Sequence, residues 1–177
     1  MTSDSAASRL VKHIRDVPDF PRPGILFKDI TPLLQDPESL RLACELLAAP
    51  FAESRIDLVV GIESRGFIFG VPVALALGAG FSLARKQGKL PWETQRESYQ
   101  LEYGSAEIEM HRDAVRRGQR VLVVDDVIAT GGTAAATARL VRALGGEVIA
   151  ASFLIELAFL DGRKALDHLP VEAVLRF

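Results

Sequence analysis

Two adjacent carboxylates, Asp125 and Asp126, lie just ahead of the small-residue turn Ala129-Thr130-Gly131-Gly132-Thr133. A turn of this kind at the start of a helix presents unpaired backbone N–H groups and the positive end of the helix. Both favour an anion, most simply a phosphate. Gly131 and Gly132 let the backbone close around such a group. Thr130 and Thr133 add hydroxyl donors. Asp125 and Asp126 would repel a phosphate but suit hydroxyl donors, such as two neighbouring ribose hydroxyls, or a divalent cation. A sugar phosphate supplies both halves. The plainer reading is a strand–loop–helix whose Asp and Thr residues only cap the helix.

The elements around this stretch place it at a strand end. Residues 120–124 form an apolar, branched run suited to a strand buried on both faces. Residues 134–144 are strong helix formers, stopped by Gly145-Gly146. Residues 57–62 and 80–86 read as further strands. The first runs into Glu63-Ser64-Arg65-Gly66-Phe67 and an apolar helix to about Leu77; the second ends in Arg85-Lys86, with Lys89 close behind. In an open α/β sheet such strand ends converge on one edge. Arg65, Arg85, Lys86 and Lys89 there imply a second anionic group, and a pyrophosphate fits. Taken singly, each of the four is an ordinary surface charge; their common position favours the anion.

The remaining chain completes an α/β pattern. A short amphipathic helix around Leu10 leads into residues 17–32, where the prolines argue against regular structure. That segment is nevertheless rich in large apolar residues, and a stiff apolar loop suits a pocket wall as well as a packed surface. Asp36 is a good N-cap for the next helix, with Pro37 at its first position. Residues 87–98 read as a long polar loop, and alternation at Tyr99, Leu101 and Tyr103, then at Ala106, Ile108 and Met110, reads as a hairpin. A strand at 147–155, a short helix at 161–169 and a strand at 171–177 end the chain. Strands alternating with helices predict a mainly parallel twisted sheet flanked by helices.

Length and composition set bounds. The 177 residues predict a single domain, 1–177. A net charge of −2 gives no global electrostatic case for nucleic acid or membrane. One cysteine, Cys44, excludes an intramolecular disulfide and a cysteine-based zinc site. No secretory pattern opens the sequence, which predicts a cytoplasmic protein. His13, His111 and His168 fit none of these motifs and are read as structural.

The stretch Val123-Val-Asp-Asp-Val-Ile-Ala-Thr-Gly-Gly-Thr133 resembles the phosphoribosyl pyrophosphate signature of type I phosphoribosyltransferases. Phe20-Pro-Arg-Pro-Gly-Ile-Leu-Phe-Lys-Asp-Ile30, Glu63-Ser-Arg-Gly-Phe67, Arg85-Lys86 with Lys89-Leu-Pro91, and Leu101-Glu-Tyr-Gly104 narrow the resemblance to the adenine branch of that family. The resemblance covers about residues 16–156. It implies a type I phosphoribosyltransferase fold with an N-terminal hood at about 16–34 and a flexible antiparallel flap at about 87–110. It implies transfer of a phosphoribosyl group to N9 of adenine, with Mg²⁺ held mainly through the substrate, and a homodimer. It assigns Asp125 and Asp126 to the ribose and 129–133 to the 5-phosphate. Arg65, Arg85, Lys86 and Lys89 fall to the pyrophosphate, and Leu26, Phe27 and Lys28 to adenine. Glu102, Asp125, Asp126 and Arg65 become the catalytic candidates. Trp92 departs from the family, standing where a small or basic residue is more usual, and could stack or latch the flap.

Overall fold

A computed structural model describes residues 3–100 and 105–177. The chain divides into two compact units, 1–46 and 47–177.

The N-terminal unit begins with helix α1 (Ser3–Val11). The proline-rich segment is more regular than its composition predicts. Strands β1 (Arg15–Pro18) and β2 (Leu26–Asp29) pair antiparallel, Arg15 opposite Asp29 and Pro18 opposite Leu26. The prolines spare this ladder because Pro18 ends its strand and Pro21 and Pro23 lie in the connection. Asp19 (φ 57°) and Gly24 (φ 85°) turn that connection, and the Gly24 N–H donates to the Asp19 carboxylate at 2.7 Å. Helix α2 (Thr31–Gln35) follows, then α3 (Pro37–Ala48). Asp36 caps α3 as expected, accepting the Ser39 N–H at 2.8 Å.

The C-terminal unit is built on strands β3 (Leu58–Ile62), β4 (Gly80–Lys86), β5 (Thr94–Gln100), β6 (Ser105–His111), β7 (Arg120–Ile128), β8 (Glu147–Glu156) and β9 (Val171–Arg176). Their order in the sheet is β5-β6-β4-β3-β7-β8-β9. The five strands from β4 to β9 are parallel, and the β5–β6 hairpin adds antiparallel to β4. Helix α4 (Gly66–Leu77) connects β3 to β4, and α5 (Gly132–Ala143) connects β7 to β8. The two crossovers run in opposite directions along the sheet, so right-handed connections place α4 and α5 on opposite faces. Alternation along the strands agrees. Leu58, Val60, Ile62, Val121 and Val123 join Leu140 and Val141 of α5 in one core, whereas Gly61 lies under Phe81 on the other face.

Two sequence boundaries move. Residues 94–98, expected in a polar loop, belong to β5, where Arg96 and Glu97 pair with Glu109 and Ile108 of β6. Polar side chains suit this strand because it is the sheet edge. Residues 161–169 hold no α-helix; 3₁₀ turns occupy Ala158–Leu160 and Gly162–Leu166, bounded by left-handed Asp161 and Asp167.

Candidate active site

The carboxyl ends of β3 and β7 open a pocket of about 400 Å³. Its floor is the end of β7 with Asp125 and Asp126. One wall is the turn from Ala129 through Thr130, Gly131 and Gly132 to Thr133; another is Glu63, Ser64 and Arg65, which include a cis Glu63–Ser64 peptide. Lys86 and Tyr99 reach it from β4 and the hairpin. The structure therefore brings together Arg65, Lys86, both aspartates and the whole small-residue turn.

The two carboxylates differ in state. Asp126, with its side chain 7% exposed, forms an ion pair with Arg65, the residue preceding α4. Asp125 Oδ1 accepts the Asp126 N–H at 2.8 Å. Burial first, and the adjacent Asp126 carboxylate second, push the Asp125 carboxyl well above the usual aspartate range. A half-buried acceptor of this kind, lining the pocket, suits hydroxyl donors that enter it.

At the turn, Gly131 takes a left-handed conformation (φ 79°) and stands at the N-cap position of α5. Helix geometry leaves the first N–H groups of α5 without a helical partner, directed at the pocket mouth. The turn is thus a ready anion seat next to two carboxylates, the pairing a sugar phosphate requires.

The basic residues divide their work. Arg65 and Lys86 line the pocket. Arg85 grips Glu63 with Nε at 3.0 Å and Nη2 at 3.3 Å, donates from Nη1 to the Lys89 carbonyl at 2.9 Å, and lies 6.0 Å from the Phe67 ring centre. Glu63 also accepts the Lys86 N–H at 3.1 Å. Burial opposes charge on Glu63, but the hydrogen bonds from Arg85 and Lys86 hold its carboxyl below the usual range. Arg85 therefore fixes the 63–65 wall to the end of β4. Lys89 is held through its backbone, its N–H donating to Glu109 at 3.1 Å.

Glu63 and Glu109 are organisers that motif reading missed. Glu109 is 1% exposed, accepts the Lys89 and Leu90 N–H groups, and pairs with Arg96 at 3.2 Å. In sequence it sits between Ile108 and Met110 as a polar strand residue, and only its accumulated donors reveal its role. On the far side of the hairpin, Arg139 of α5 holds Glu97 at 2.6 Å and the Ser98 carbonyl at 3.2 Å. Trp92 is exposed and packs edge-on to His111, ring centres 6.2 Å apart.

Leu26, Phe27 and Lys28 lie in β2 of the N-terminal unit. Phe27 packs edge-on to Phe20 at 5.2 Å, and Lys28 pairs with Asp16 at 2.6 Å. Glu102, with Leu101, Tyr103 and Gly104, lies outside the described residues. Among the described residues, no group of three or more His, Cys, Asp or Glu side chains forms a metal cage, and no helix is long and apolar enough to cross a membrane.

A sequence profile of the phosphoribosyl transferase domain matches residues 30–172. The chain is 58% identical to an adenine phosphoribosyltransferase of Anaeromyxobacter sp. (strain Fw109-5), over 98% of each chain. The crystal structure of adenine phosphoribosyltransferase from Rhodothermus marinus DSM 4252 superposes with a TM-score of 0.94 at 60% identity, covering 98% of this chain and 99% of that one. The Saccharomyces cerevisiae enzyme, complexed with an imino-altritol bisphosphate and adenine, superposes with a TM-score of 0.91 at 42% identity, over 97% and 99% of the two chains.

Proposed function

The chain belongs to the phosphoribosyl transferase family, among its adenine phosphoribosyltransferases, and on that premise we propose how its residues divide the reaction. The reaction joins C1 of 5-phosphoribosyl 1-pyrophosphate to N9 of adenine and yields AMP and pyrophosphate, a step of purine salvage. The C1–O bond breaks as positive charge develops on the ribose, as at other glycosyl centres. The convergence of Arg65, Asp125, Asp126 and the 129–133 turn on one pocket carries the assignment.

In this reading the N–H groups and hydroxyls of 129–133 hold the 5-phosphate, and Asp125 and Asp126 accept from the ribose hydroxyls. The carboxylates orient the sugar and offset its developing charge. Arg65 and Lys86 receive the departing pyrophosphate from within the pocket. Arg85 and Lys89 support it from behind, through Glu63 and the turn after β4. The carboxylates of Asp125 and Asp126 beside the anion seat fit a Mg²⁺ held mainly through the substrate, which would supply positive charge to offset that of the leaving group. Closing the hairpin flap over the pocket excludes water, which would hydrolyse the donor.

Leu26, Phe27 and Lys28 form the hood that takes adenine, and Glu102 hydrogen-bonds the purine ring. The whole chain works as one cytoplasmic catalytic domain, paired as a homodimer. Support for the pairing comes from α4, whose Ile68, Val71 and Leu75 are apolar and 40%, 42% and 77% exposed in the single chain.

A panel of bases tests the assignment. With donor and Mg²⁺, adenine should give AMP, while hypoxanthine, xanthine and guanine should give no comparable product. Glu102→Leu should lower AMP formation and leave donor binding intact. Preference for hypoxanthine would remove the adenine assignment, and an equal loss of donor affinity in Glu102→Leu would remove the base-side role.

A further inference from the structure

The small-residue turn is backed by a segment far along the chain, and the two meet through glycines. A Cβ on Gly131 would overlap the Gly162 carbonyl oxygen and come within 3.0 Å of the Ala165 Cβ. Conversely, a Cβ on Gly162 would overlap the Ala129 carbonyl oxygen and reach Ile128 Cγ1 at 2.9 Å. Two backbones thus touch with no side chain between them, and each requires glycine in the other.

The backing segment is itself fixed. Arg163, the next residue, holds both carboxylate oxygens of Glu156 at 2.8 Å and donates to the Val171 carbonyl at 2.6 Å. Glu156 is 4% exposed at the end of β8, and the following Leu157 N–H donates to Ile128 O at 3.0 Å. Leu166, at the other end of the 3₁₀ turn, is 2% exposed in the core. A bidentate arginine–carboxylate pair has a planar, fixed geometry. Through it, the end of β8 and the start of β9 set the position of Gly162, and Gly162 sets that of Ala129 and Gly131.

We propose that Gly162, clamped by the Arg163–Glu156 pair, is a positioning residue for the 129–133 turn and fixes where its N–H groups meet the 5-phosphate. The proposal rests on reading that turn as the 5-phosphate seat. It predicts a selective effect. Ligands that carry a 5-phosphate depend on the brace, whereas pyrophosphate, held at Arg65 and Lys86, does not. Anion seats made of backbone N–H groups tolerate little displacement, because their donors cannot re-aim independently.

Calorimetric titration of ribose 5-phosphate and of Mg²⁺-pyrophosphate into the full chain tests this. Gly162→Ala should weaken ribose 5-phosphate about tenfold to a hundredfold, the scale of an ångström's misplacement, and leave pyrophosphate affinity unchanged. In steady state, KM for the donor should rise far more than kcat falls. Arg163→Gln, which spares the glycine contact, should show the same selectivity to a smaller degree and carries the test if Gly162→Ala does not fold. Unchanged ribose 5-phosphate affinity in the folded variants, or equal losses for both ligands, overturns the brace. Thr130→Val with Thr133→Val separates the premise. If that pair leaves ribose 5-phosphate affinity intact and ribose 5-phosphate does not shift the amide resonances of 130–133 in the unaltered chain, the turn is not the 5-phosphate seat and the assignment fails at its root. If the pair weakens it while the brace variants do not, only the brace fails.

Discussion

Asp125→Asn combined with Asp126→Asn is expected to lower turnover at least about a hundredfold, the scale of losing a preorganised electrostatic group. The two positions contribute differently. Asp126 is already committed to Arg65, so its loss also removes that ion pair. Asp125 is half-buried beside a second carboxylate, and its desolvation and that neighbour hold its carboxyl well above the usual aspartate range. A carboxyl raised in the folded state favours folding most below its unfolded pKa, and that contribution is lost as pH rises through the folded pKa. Ionised Asp125 is therefore a cost to the fold. Asp125→Asn alone should raise the Tm, by a margin that grows as pH rises from about 4, while activity falls. Parallel melting curves and AMP assays across pH check this. Near-normal turnover in the double variant would contradict the ribose assignment, and a Tm lowered at neutral pH would contradict the strained state of Asp125.

Arg65→Ala is the second large effect. It should cost at least about a hundredfold in turnover by removing a pocket cation from the leaving group. It should also destabilise the fold by roughly 1–3 kcal/mol, because the buried Asp126 carboxylate loses its ion pair. Denaturant unfolding gives the second number. Adding Asp126→Asn to Arg65→Ala should recover part of that stability but none of the activity, since the uncompensated charge disappears while the cation stays missing. Additive losses of stability would mean that the pair is not coupled. Wild-type pyrophosphate affinity in Arg65→Ala would mean that the cation serves only Asp126.

The site was legible where its chemistry is local. Asp125, Asp126 and 129–133 form one continuous stretch, so strand, turn and helix could be read together, and the structure lines one pocket with them. Strand-end logic also brought Arg65 and Lys86 there from other parts of the chain. What stayed hidden were residues defined by partners distant in sequence. Glu63 acquires its role from Arg85, Glu109 from the turn at 89–90, and Gly162 from Ala129 and Gly131. Glu109 and Gly162 lie in no motif, and the motif that holds Glu63 does not name its partner, because a carboxylate's donors or a tight backbone contact are specified by packing and not by neighbours in the chain.

The same distinction explains the misread elements. Counting prolines at 17–32 suggested no regular structure, yet the prolines occupy the strand end and the connection and leave a short ladder between Arg15 and Asp29. The polar 94–98 run read as loop because an edge strand need not bury alternate residues. The apolar helix α4 was easy to find, but its pattern could not say that Ile68, Val71 and Leu75 face outward in the single chain.

In this site Asp125 and Asp126 are proposed to grip the sugar while the turn and the cations hold its two anionic ends. A crystal structure of the chain with AMP and pyrophosphate tests it most directly. The AMP phosphate should lie on the N–H groups of 130–133, the ribose hydroxyls on Asp125 and Asp126, and pyrophosphate between Arg65 and Lys86. Pyrophosphate seated on the 130–133 turn, or ribose hydroxyls out of reach of both aspartates, would contradict it.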